Sequence, residues 1–508
     1  MTRKAAYLLA LLLVSAIARA GGPDDGAALR LRLLPALWMD SSNAAGLAFS
    51  APERFNTLQA GYDHASGDYR RMQEGVSVSE LSFDTSGAMK VGKVQLWGHF
   101  RYDNITDTGA SFNTLLYDPF DERFLYTAAD TVAGQWKKQS YLMEFKAALP
   151  VSESLSAGVH VRYNDRIAAG QIDPRAESYN YSVSVRPGLS WRTGRSIFGL
   201  NGLYTNTFER STPTISNSQE IQRVFLLRGL GNWVGDQVGG SGLSTMYFRC
   251  NTWGGSLQYS LESPFKLLAS VGYSYHKTDI RESATQPKPH GSTKRHEIEG
   301  AVTAVFGSTV RHKAGLSVTG AKTIGTEPTT QWNTASGEWE VTFSADQCDF
   351  LTGDALLSYE ALILDGDSYS WRFTGNAGIQ SKSDTYALPA ASFSYTNLSL
   401  GAGAGRRFAF NRSSLILEAG IKGIKNLGHA YDYTGHRTGT APVRDLYPHD
   451  IAVLGADLVK GSLGAEFAIA LNKGLSLAFA AEGSYLVAFS SLGPLSRWTA
   501  AGGVKLYF

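Results

Sequence analysis

Residues 496–508, SRWTAAGGVKLYF, alternate between two kinds of side chain along their whole length. In an extended strand, one face would carry Trp498, Ala500, Gly502, Val504, Leu506 and Phe508, and the other Arg497, Thr499, Ala501, Gly503, Lys505 and Tyr507. Because successive side chains of a strand point to opposite faces, the pattern predicts one face in an apolar medium and one beside polar groups. A soluble sandwich strand has about 5–6 residues, whereas crossing a bilayer takes about 9–11. The stretch is long enough for a transmembrane strand.

The same alternation recurs along the chain. The clearest examples are Gly92–Tyr102, Leu155–Tyr163, Tyr181–Trp191, Leu267–Tyr275, Tyr369–Ile379, Gly461–Leu471 and Leu475–Val487. Counting hairpins from Phe55 predicts an all-β fold, a transmembrane antiparallel up-and-down β-barrel of about 18 strands, with about 16 or 14 as alternatives. A large soluble all-β secreted protein is the competing fold class, and the length of the strands argues against it.

The beginning of the chain predicts export. Arg3 and Lys4 precede a short apolar core and a small-residue cleavage site, so residues 1–20 are predicted to be a signal peptide. Residues 21–53 lack alternation and are predicted to form an N-terminal plug or periplasmic strap, with a flexible lead-in as the alternative. Residues 54–508 are the predicted barrel. An exported chain of long alternating strands is expected to be a multi-pass protein of the bacterial outer membrane.

Composition agrees with a barrel. The 508 residues are 43% hydrophobic and 11% aromatic and include 54 glycines, an average that a barrel shows because only every second residue meets lipid. The formal net charge of +2 gives no basis for a nucleic-acid partner. No local pattern of a nucleophile and a base stands out, and we expect neither an enzyme nor a cofactor or metal centre.

The predicted connections are of two kinds. Short ones include Arg192–Arg195 and Asn472–Gly474, whereas the longer polar ones are Asp103–Ala133, Asn164–Ser178, Glu209–Tyr247, Arg281–Lys294, Thr323–Leu351 and Asn426–Leu458. Outer-membrane barrels have short periplasmic turns and long outer loops, so we expect the short connections in the periplasm.

The polar strand faces give candidate residues for the lumen. The predicted lumen-lining residues are Arg101, Arg162, Arg186, Arg372, Lys422, Glu418, Glu466, Glu482 and Arg497. A lumen lined by both signs of charge is either a wall of ion pairs or a weakly selective pore. Cys250 and Cys348, the two cysteines of the chain, are both expected at outer strand ends, where an oxidising compartment permits a disulfide between them.

The ending Val504, Leu506 and Phe508 resembles the C-terminal assembly signal of bacterial outer-membrane barrels, which implies the barrel-assembly machinery as a partner. Asn43-Ala44-Ala45-Gly46-Leu47 resembles a degenerate form of the Asn-Pro-Ala element of long-chain fatty-acid transporters, with Ala44 in place of the proline.

Taken as a whole, the chain resembles uncharacterised large outer-membrane barrels of the Bacteroidota, including a family of unknown function found near energised receptors. The resemblance implies outer-membrane lipid as the surroundings, and an outer-membrane receptor or lipoprotein as a partner. It supplies no known activity. We expect a channel or transporter for small or hydrophobic solutes, and the alternative is a non-conducting barrel that serves as a scaffold or surface-binding partner of an outer-membrane uptake complex.

Overall fold

The computed structural model describes residues 25–508 except 51, 53, 218, 220, 221, 239–241 and 473. The predicted signal peptide at residues 1–20 lies outside the described residues. Twenty-one strands account for most of the described chain. In chain order they are β1 Phe55–Gly67, β2 Ser77–Val91, β3 Val94–Ala110, β4 Thr127–Ala129, β5 Gly134–Pro150, β6 Leu155–Gly170, β7 Arg175–Thr193, β8 Ser196–Thr214, β9 Arg223–Gly229, β10 Asn232–Gln237, β11 Met246–Leu261, β12 Lys266–Glu282, β13 Lys288–Phe306, β14 Val310–Asn333, β15 Glu338–Asp365, β16 Ser368–Tyr386, β17 Ala391–Ala409, β18 Ser413–Tyr433, β19 Asp457–Asn472, β20 Leu475–Ser490 and β21 Gly493–Tyr507.

Eighteen of these strands form one closed antiparallel barrel, and β4, β9 and β10 form a separate small sheet. Each barrel strand pairs with the barrel strands before and after it, and β1 pairs with both β2 and β21, which closes the ring. Closure removes the exposed backbone edges that could not persist in lipid. The prediction of an 18-stranded up-and-down barrel is confirmed.

The outward faces of the strands are apolar. Leu189, Leu200, Leu257 and Val271 stand opposite one another across β7, β8, β11 and β12. More than half of each side chain is exposed. A continuous row of exposed aliphatic side chains is unfavourable in water and favourable against lipid chains.

Aromatic pairs border this apolar surface on both sides. On β7 and β8, Trp191 stacks with Phe198 at 6.0 Å between ring centroids, and Tyr181 contacts Phe208 at 5.5 Å. The two pairs are separated by ten residues along each strand. Ten residues of strand, about 33 Å long and tilted by about 40°, rise about 25 Å, which is the height of the apolar band of an outer-membrane barrel.

Three predicted loops are wrong in extent, including Arg281–Lys294, of which only residues 283–287 lie outside β12 and β13. Much of Asn164–Ser178 belongs to β6 and β7, and Thr323–Leu351 is nearly all hairpin, because β14 continues to Asn333 and β15 begins at Glu338. Beyond the lipid, both faces of a strand meet water, so the apolar residues that reveal alternation are no longer required there. The short connection at residues 194–195 agrees with the predicted turn Arg192–Arg195.

The helices of the described chain are short. Helix α1, Gly26–Leu33, is capped by the side chain of Asp25 and ends before Pro35. Two 3₁₀ turns follow, Leu37–Met39 and Ala44–Ala48, and a π turn, Pro442–Leu446, leads into helix α2, Tyr447–Leu454. No helix among the described residues has the length and apolar character to cross a membrane.

Candidate functional site

The N-terminal segment, residues 25–50, packs inside the short-turn end of the barrel. Asn43 is fully buried, and its Nδ2 donates to the carbonyl oxygen of Leu189 at 3.0 Å and to Oε1 of Gln258 at 2.9 Å. Lys146 Nζ donates to two carbonyl oxygens of the segment, at 2.6 and 3.0 Å. Because these partners belong to β5, β7 and β11, the segment is tied to a broad arc of the wall.

Glycines of the wall lie where this segment approaches the strands most closely. A Cβ added to Gly158 would lie 2.4 Å from the backbone nitrogen of Ala45, and one added to Gly188 would lie 2.2 Å from Asn43 Oδ1. Neither distance is compatible with a side chain, so these positions let the backbone of the segment approach the strands.

Helix α1 is held on the other side of the lumen by two ion pairs. The fully buried Asp25 accepts hydrogen bonds from Arg407 Nε at 2.6 Å and from Ser414 Oγ at 2.7 Å. Arg30 Nε lies 2.5 Å from Oε1 of Glu360. A buried carboxylate paired in this way is costly to leave unpaired, so both contacts fix the helix against the wall.

The long-loop end is covered by what we call the lid: residues 111–133, strands β9 and β10, and residues 442–454. Its apolar side chains join the inward faces of the barrel strands in one buried cluster. Among them, Phe124 contacts Phe248 of β11 at 5.3 Å between ring centroids, and Tyr431 of β18 stacks with Tyr447 at 5.5 Å.

A cavity of about 360 Å³, the turn-end cavity, remains beside α1. One wall consists of small residues that include Gly61, Gly464, Ala480 and Gly503. Its charged lining residues are Arg30, Asp63, Arg372, Glu418, Glu466, Glu482 and Lys505. Because these residues of β19–β21 and β1 have small side chains, they leave an open space in the lumen. Charged side chains of both signs surround that space.

A larger cavity of about 680 Å³, the loop-end cavity, lies beneath the lid. Glu122 of the lid enters it and forms ion pairs with Arg295 of β13, at 2.6 Å, and with Lys382 of β16. Aromatic rings of β15 and β17, from Phe350, Phe393 and Tyr395, line the same space.

Burial alters the protonation of the lid. It raises the pKa of Asp130 and of Asp450 to about 7. Burial acts in the same direction on Glu122, but its pairs with Lys382 and Arg295 hold the pKa of that carboxyl below its ordinary value. The lid thus combines one firmly ionised carboxylate with two carboxyl groups that titrate near neutral pH.

Four of the predicted lumen residues lie in the turn-end cavity: Arg372, Glu418, Glu466 and Glu482. Arg372 forms ion pairs with Glu418, at 2.7 Å, and with Glu360. Glu360 also forms an ion pair with Arg30. Glu466 pairs with Lys505 at 2.9 Å, and the register places Glu482 opposite Gly464 on the neighbouring strand.

The other predicted lumen residues are spread around the barrel. Arg101 pairs with Glu80 at 2.6 Å and with Asp103 at 2.7 Å. Arg162 and Arg186 lie near each other on β6 and β7, within electrostatic range of Glu144. Elsewhere, Lys422 stands opposite Lys460, and Arg497 donates to the carbonyl oxygen of Gly75 at 3.2 Å.

The two cysteines are free thiols, so the disulfide that the sequence permits is not formed in this structure. Cys250 and Cys348 lie in the buried cluster beneath the lid, on β11 and β15. These strands are four places apart in the barrel, and Cys348 Sγ instead lies 3.4 Å from the carbonyl oxygen of Arg228. Lid residues fill the space between the strands that a disulfide would have to cross.

The final residues differ in part from the predicted alternation. Val504 is exposed on the lipid side, and Leu506 is partly exposed, but Phe508 is buried, so its predicted lipid-facing position is wrong. Strand β21 ends at Tyr507, but the backbone of Phe508 still exchanges hydrogen bonds of 2.7 and 3.0 Å with Asn56 of β1, so a loss of strand pairing does not explain the burial of its side chain. The role of these three residues as an assembly signal stays a prediction.

Two residues that tie the N-terminal segment and the lid to the wall, Asp25 and Glu122, are not among those that the sequence predicts. Asp25 precedes an apolar stretch, which is the ordinary signal for a helix cap, but nothing local indicates its pair with Arg407. Glu122 lies in a polar loop far in sequence from Arg295 and Lys382. Among the residues that the structure describes, no group of three or more His, Cys, Asp or Glu side chains is arranged to hold a metal ion.

The closed barrel of eighteen strands, with its apolar band and aromatic borders, defines an integral protein of the bacterial outer membrane. The chain belongs to DUF6850, a family of unknown function, whose model matches residues 44–508. No curated protein matches it in sequence.

Solved outer-membrane proteins are similar to the chain at low identity. They include BauA, the ferric preacinetobactin receptor from Acinetobacter baumannii, at 11% identity, with 90% of this chain and 80% of that chain covered and a TM-score of 0.40. The outer membrane transporter YddB from Escherichia coli has 8% identity, 90% and 81% coverage and a TM-score of 0.40. The ferric yersiniabactin uptake receptor FyuA from Yersinia pestis has 8% identity, 89% and 80% coverage and a TM-score of 0.39. No activity carries over from similarity at this level.

Proposed function

We propose that this protein is a gated channel or transporter of the outer membrane and that it admits small charged solutes rather than hydrophobic ones. The observation that carries the proposal is the turn-end cavity, a space of about 360 Å³ beside α1 that small residues create and charged residues line. A structural filling of the lumen would place large side chains here. Instead, Gly61, Gly464 and Gly503 leave the wall bare.

Gating follows from the contents of the barrel. The N-terminal segment crosses the short-turn end, and the lid covers the long-loop end, each through buried contacts. Passage of a solute then requires displacement of these elements, or of side chains within them. Ion pairs such as Arg30–Glu360 are suited to this, since a polar solute replaces their interactions as it passes.

The choice of solute follows from the lining. A hydrophobic solute in the turn-end cavity would desolvate the carboxylates of Glu418, Glu466 and Glu482 without offering them a hydrogen bond. A charged solute compensates that cost. The sequence analysis expects small or hydrophobic solutes. Of these two classes, we retain the small solutes and no longer propose the hydrophobic ones.

The test is vesicle swelling with Gly464→Phe and a matched control. A Cβ on Gly464 would lie 3.9 Å from its nearest neighbours, so the backbone accepts a side chain that fills the cavity. Gly461→Phe places the same ring on the exposed outer face of the same strand. We expect lysine and glutamate to enter wild-type vesicles faster than glucose, with Gly464→Phe slowing them and Gly461→Phe leaving them unchanged. Equal entry in wild type and Gly464→Phe would overturn the proposal.

A second function, a non-conducting scaffold for an outer-membrane receptor or lipoprotein, is favoured by the β14–β15 hairpin. Its end carries a contact between Trp332 and Trp339, with ring centroids 5.6 Å apart, and Phe343 is 65% exposed. Exposed aromatic residues of this kind are typical of protein contacts. Vesicles containing the wild-type protein that take up no probe faster than protein-free vesicles would favour this function.

A further inference from the structure

The loop-end cavity contains a carboxylate held by two cations from distant strands. Oε2 of Glu122 lies 2.6 Å from Nη1 of Arg295, and Oε1 lies against Nζ of Lys382. The same Nη1 donates to Oγ1 of Thr323 at 3.0 Å. Since β13 and β16 are separated by two strands, the two cations converge from different parts of the curved wall on one carboxylate.

The cations keep their positions independently of Glu122. Arg295 Nε pairs with Glu297 at 3.1 Å, and Lys382 pairs with Asp384 at 3.1 Å, each with a carboxylate two residues along its own strand. These pairs belong to the barrel wall, whereas Glu122 belongs to the lid. Removal of Glu122 therefore leaves an ordered pair of donors facing the cavity.

We propose that Arg295, Lys382 and Thr323 form a binding site for the carboxylate group of a small organic acid, and that Glu122 occupies this site when no such ligand is bound. The exchange replaces one carboxylate by another, so the net charge of the buried site does not change. A guanidinium and an ammonium group supply the charge-assisted hydrogen bonds that a carboxylate requires.

The aromatic part of the cavity lining, which also contains charged side chains such as Asp354 and Asp384, indicates the body of the ligand. Phe350, Phe393 and Tyr395 line the same space, which measures about 680 Å³. Lys382 Nζ lies 5.8 Å from the centre of the Phe350 ring, so the carboxylate position is next to an aromatic surface. An acid with a compact apolar or aromatic body fits this combination better than a polyol or a peptide.

Binding at this site would also release one tie between the lid and the wall. Glu122 would lose both cations to the ligand, while the lid would remain packed through Leu115, Leu116 and Phe124. This coupling to opening rests on the proposed transport function. The binding site itself does not, because it exists in the closed barrel.

The test is calorimetric binding of benzoate to the full-length protein in detergent, with benzamide as the neutral probe of the same shape. We expect Glu122→Ala to bind benzoate at least about tenfold more tightly than the wild type. In the wild type, the Glu122 carboxylate is a tethered competitor that acts at about millimolar effective concentration. Benzamide should bind neither protein measurably. Asp118→Ala removes an exposed carboxylate from the same loop and should leave benzoate binding as in wild type.

Two further variants keep the proposal open to refutation. Glu122→Gln preserves the shape of the side chain and should also bind benzoate more tightly than wild type, and heat-modifiable migration shows that each variant is folded. Adding Lys382→Met to Glu122→Ala should abolish the gain. Unchanged affinity in both Glu122 variants, or a gain that survives Lys382→Met, would overturn the site. Tighter binding without solute entry into vesicles would refute transport alone.

Discussion

Single side chains hold the N-terminal segment inside the barrel. Asp25 is the clearest case, because one fully buried carboxylate caps α1 through Ala28 and also pairs with Arg407 and Ser414 on the wall. Capping contributes about 1 kcal/mol, and breaking a buried ion pair costs about 3–5 kcal/mol. Asp25 therefore contributes much of the local stability of helix α1, beside the pair of Arg30 with Glu360.

We predict that Asp25→Ala loosens helix α1 without unfolding the barrel. A loss of about 3 kcal/mol corresponds to about 100-fold faster amide exchange in Gly26–Leu33, measured by mass spectrometry. Asp40→Ala is the matched control, because the Asp40 side chain is 74% exposed and its contact with Lys313 is 3.5 Å long. Equal exchange in the two variants would contradict the assigned role of Asp25.

At this scale, the direction of a side chain could be predicted but its partner could not. Alternation within one strand was enough to predict that Arg372 and Glu466 point inward. The pair of Arg372 with Glu360 also depends on which strands are neighbours, and that of Glu122 with Lys382 depends on a loop folding back into the lumen. Distances of this kind are set by the closed barrel, and no short stretch of sequence contains them.

Among the elements, helix α2 combines a structural role with a titrating group. Asp450 is buried, and its Oδ1 accepts a hydrogen bond from the backbone of Met72 at 3.0 Å. Burial raises its pKa to about 7; Arg71 and Arg70 lower it and Glu74 raises it to smaller extents. The ordinary value is about 3.9, so the folded lid binds more protons than the unfolded chain between about pH 4 and 7.

We predict that α2 becomes less stably packed as pH rises through about 7. The stabilisation due to the neutral Asp450 is fully present below about pH 4 and is lost above the folded pKa. Amide exchange in Tyr447–Leu454, corrected for its intrinsic rate, should therefore show more opening at pH 8 than at pH 5.5. Asp450→Asn should remove the difference, and Asp445→Asn, at a partly exposed position outside α2, should keep it. A difference that persists in Asp450→Asn would assign the effect to other groups, such as Asp130.

The extent of the elements could be predicted only within the membrane. The stretch Tyr181–Trp191 alternates because lipid lies on one side, and it was recognised as a strand. The far ends of β14 and β15 form a hairpin with two register shifts and no such constraint, so the sequence alone predicts a loop there. Backbone pairing continues there, whereas the hydrophobic signal stops at the edge of the lipid.

For the molecule as a whole, orientation in the membrane stays a prediction. One end of the barrel has short turns and the other end carries the lid. By the rule for outer-membrane barrels, we expect the short-turn end in the periplasm and the lid outside the cell. An epitope tag at Thr438 should bind antibody on intact cells, and a tag at Arg195, in the turn between β7 and β8, should bind only after permeabilisation. Both positions are exposed. Labelling of the Arg195 tag on intact cells would invert the assignment.

We propose that the barrel is a conduit closed by its own N-terminal segment and lid. The turn-end and loop-end cavities show that the lumen is not fully packed, while buried contacts at both ends close it. A conduit of this kind differs from a non-conducting scaffold in one respect. Removal of the closing elements must leave an open pore in a conduit, whereas a scaffold does not require one.

Single-channel conductance in planar bilayers tests this claim most directly. The comparison is between the wild type and a variant that lacks residues 26–50 and has all parts of the lid, within residues 111–133, 215–245 and 434–456, each replaced by a short turn, with heat-modifiable migration to show that both are folded. The wild type should show no large steady conductance, and the variant should form a large, steady pore. A large steady pore in the wild type, or a folded variant that never conducts, would contradict the account.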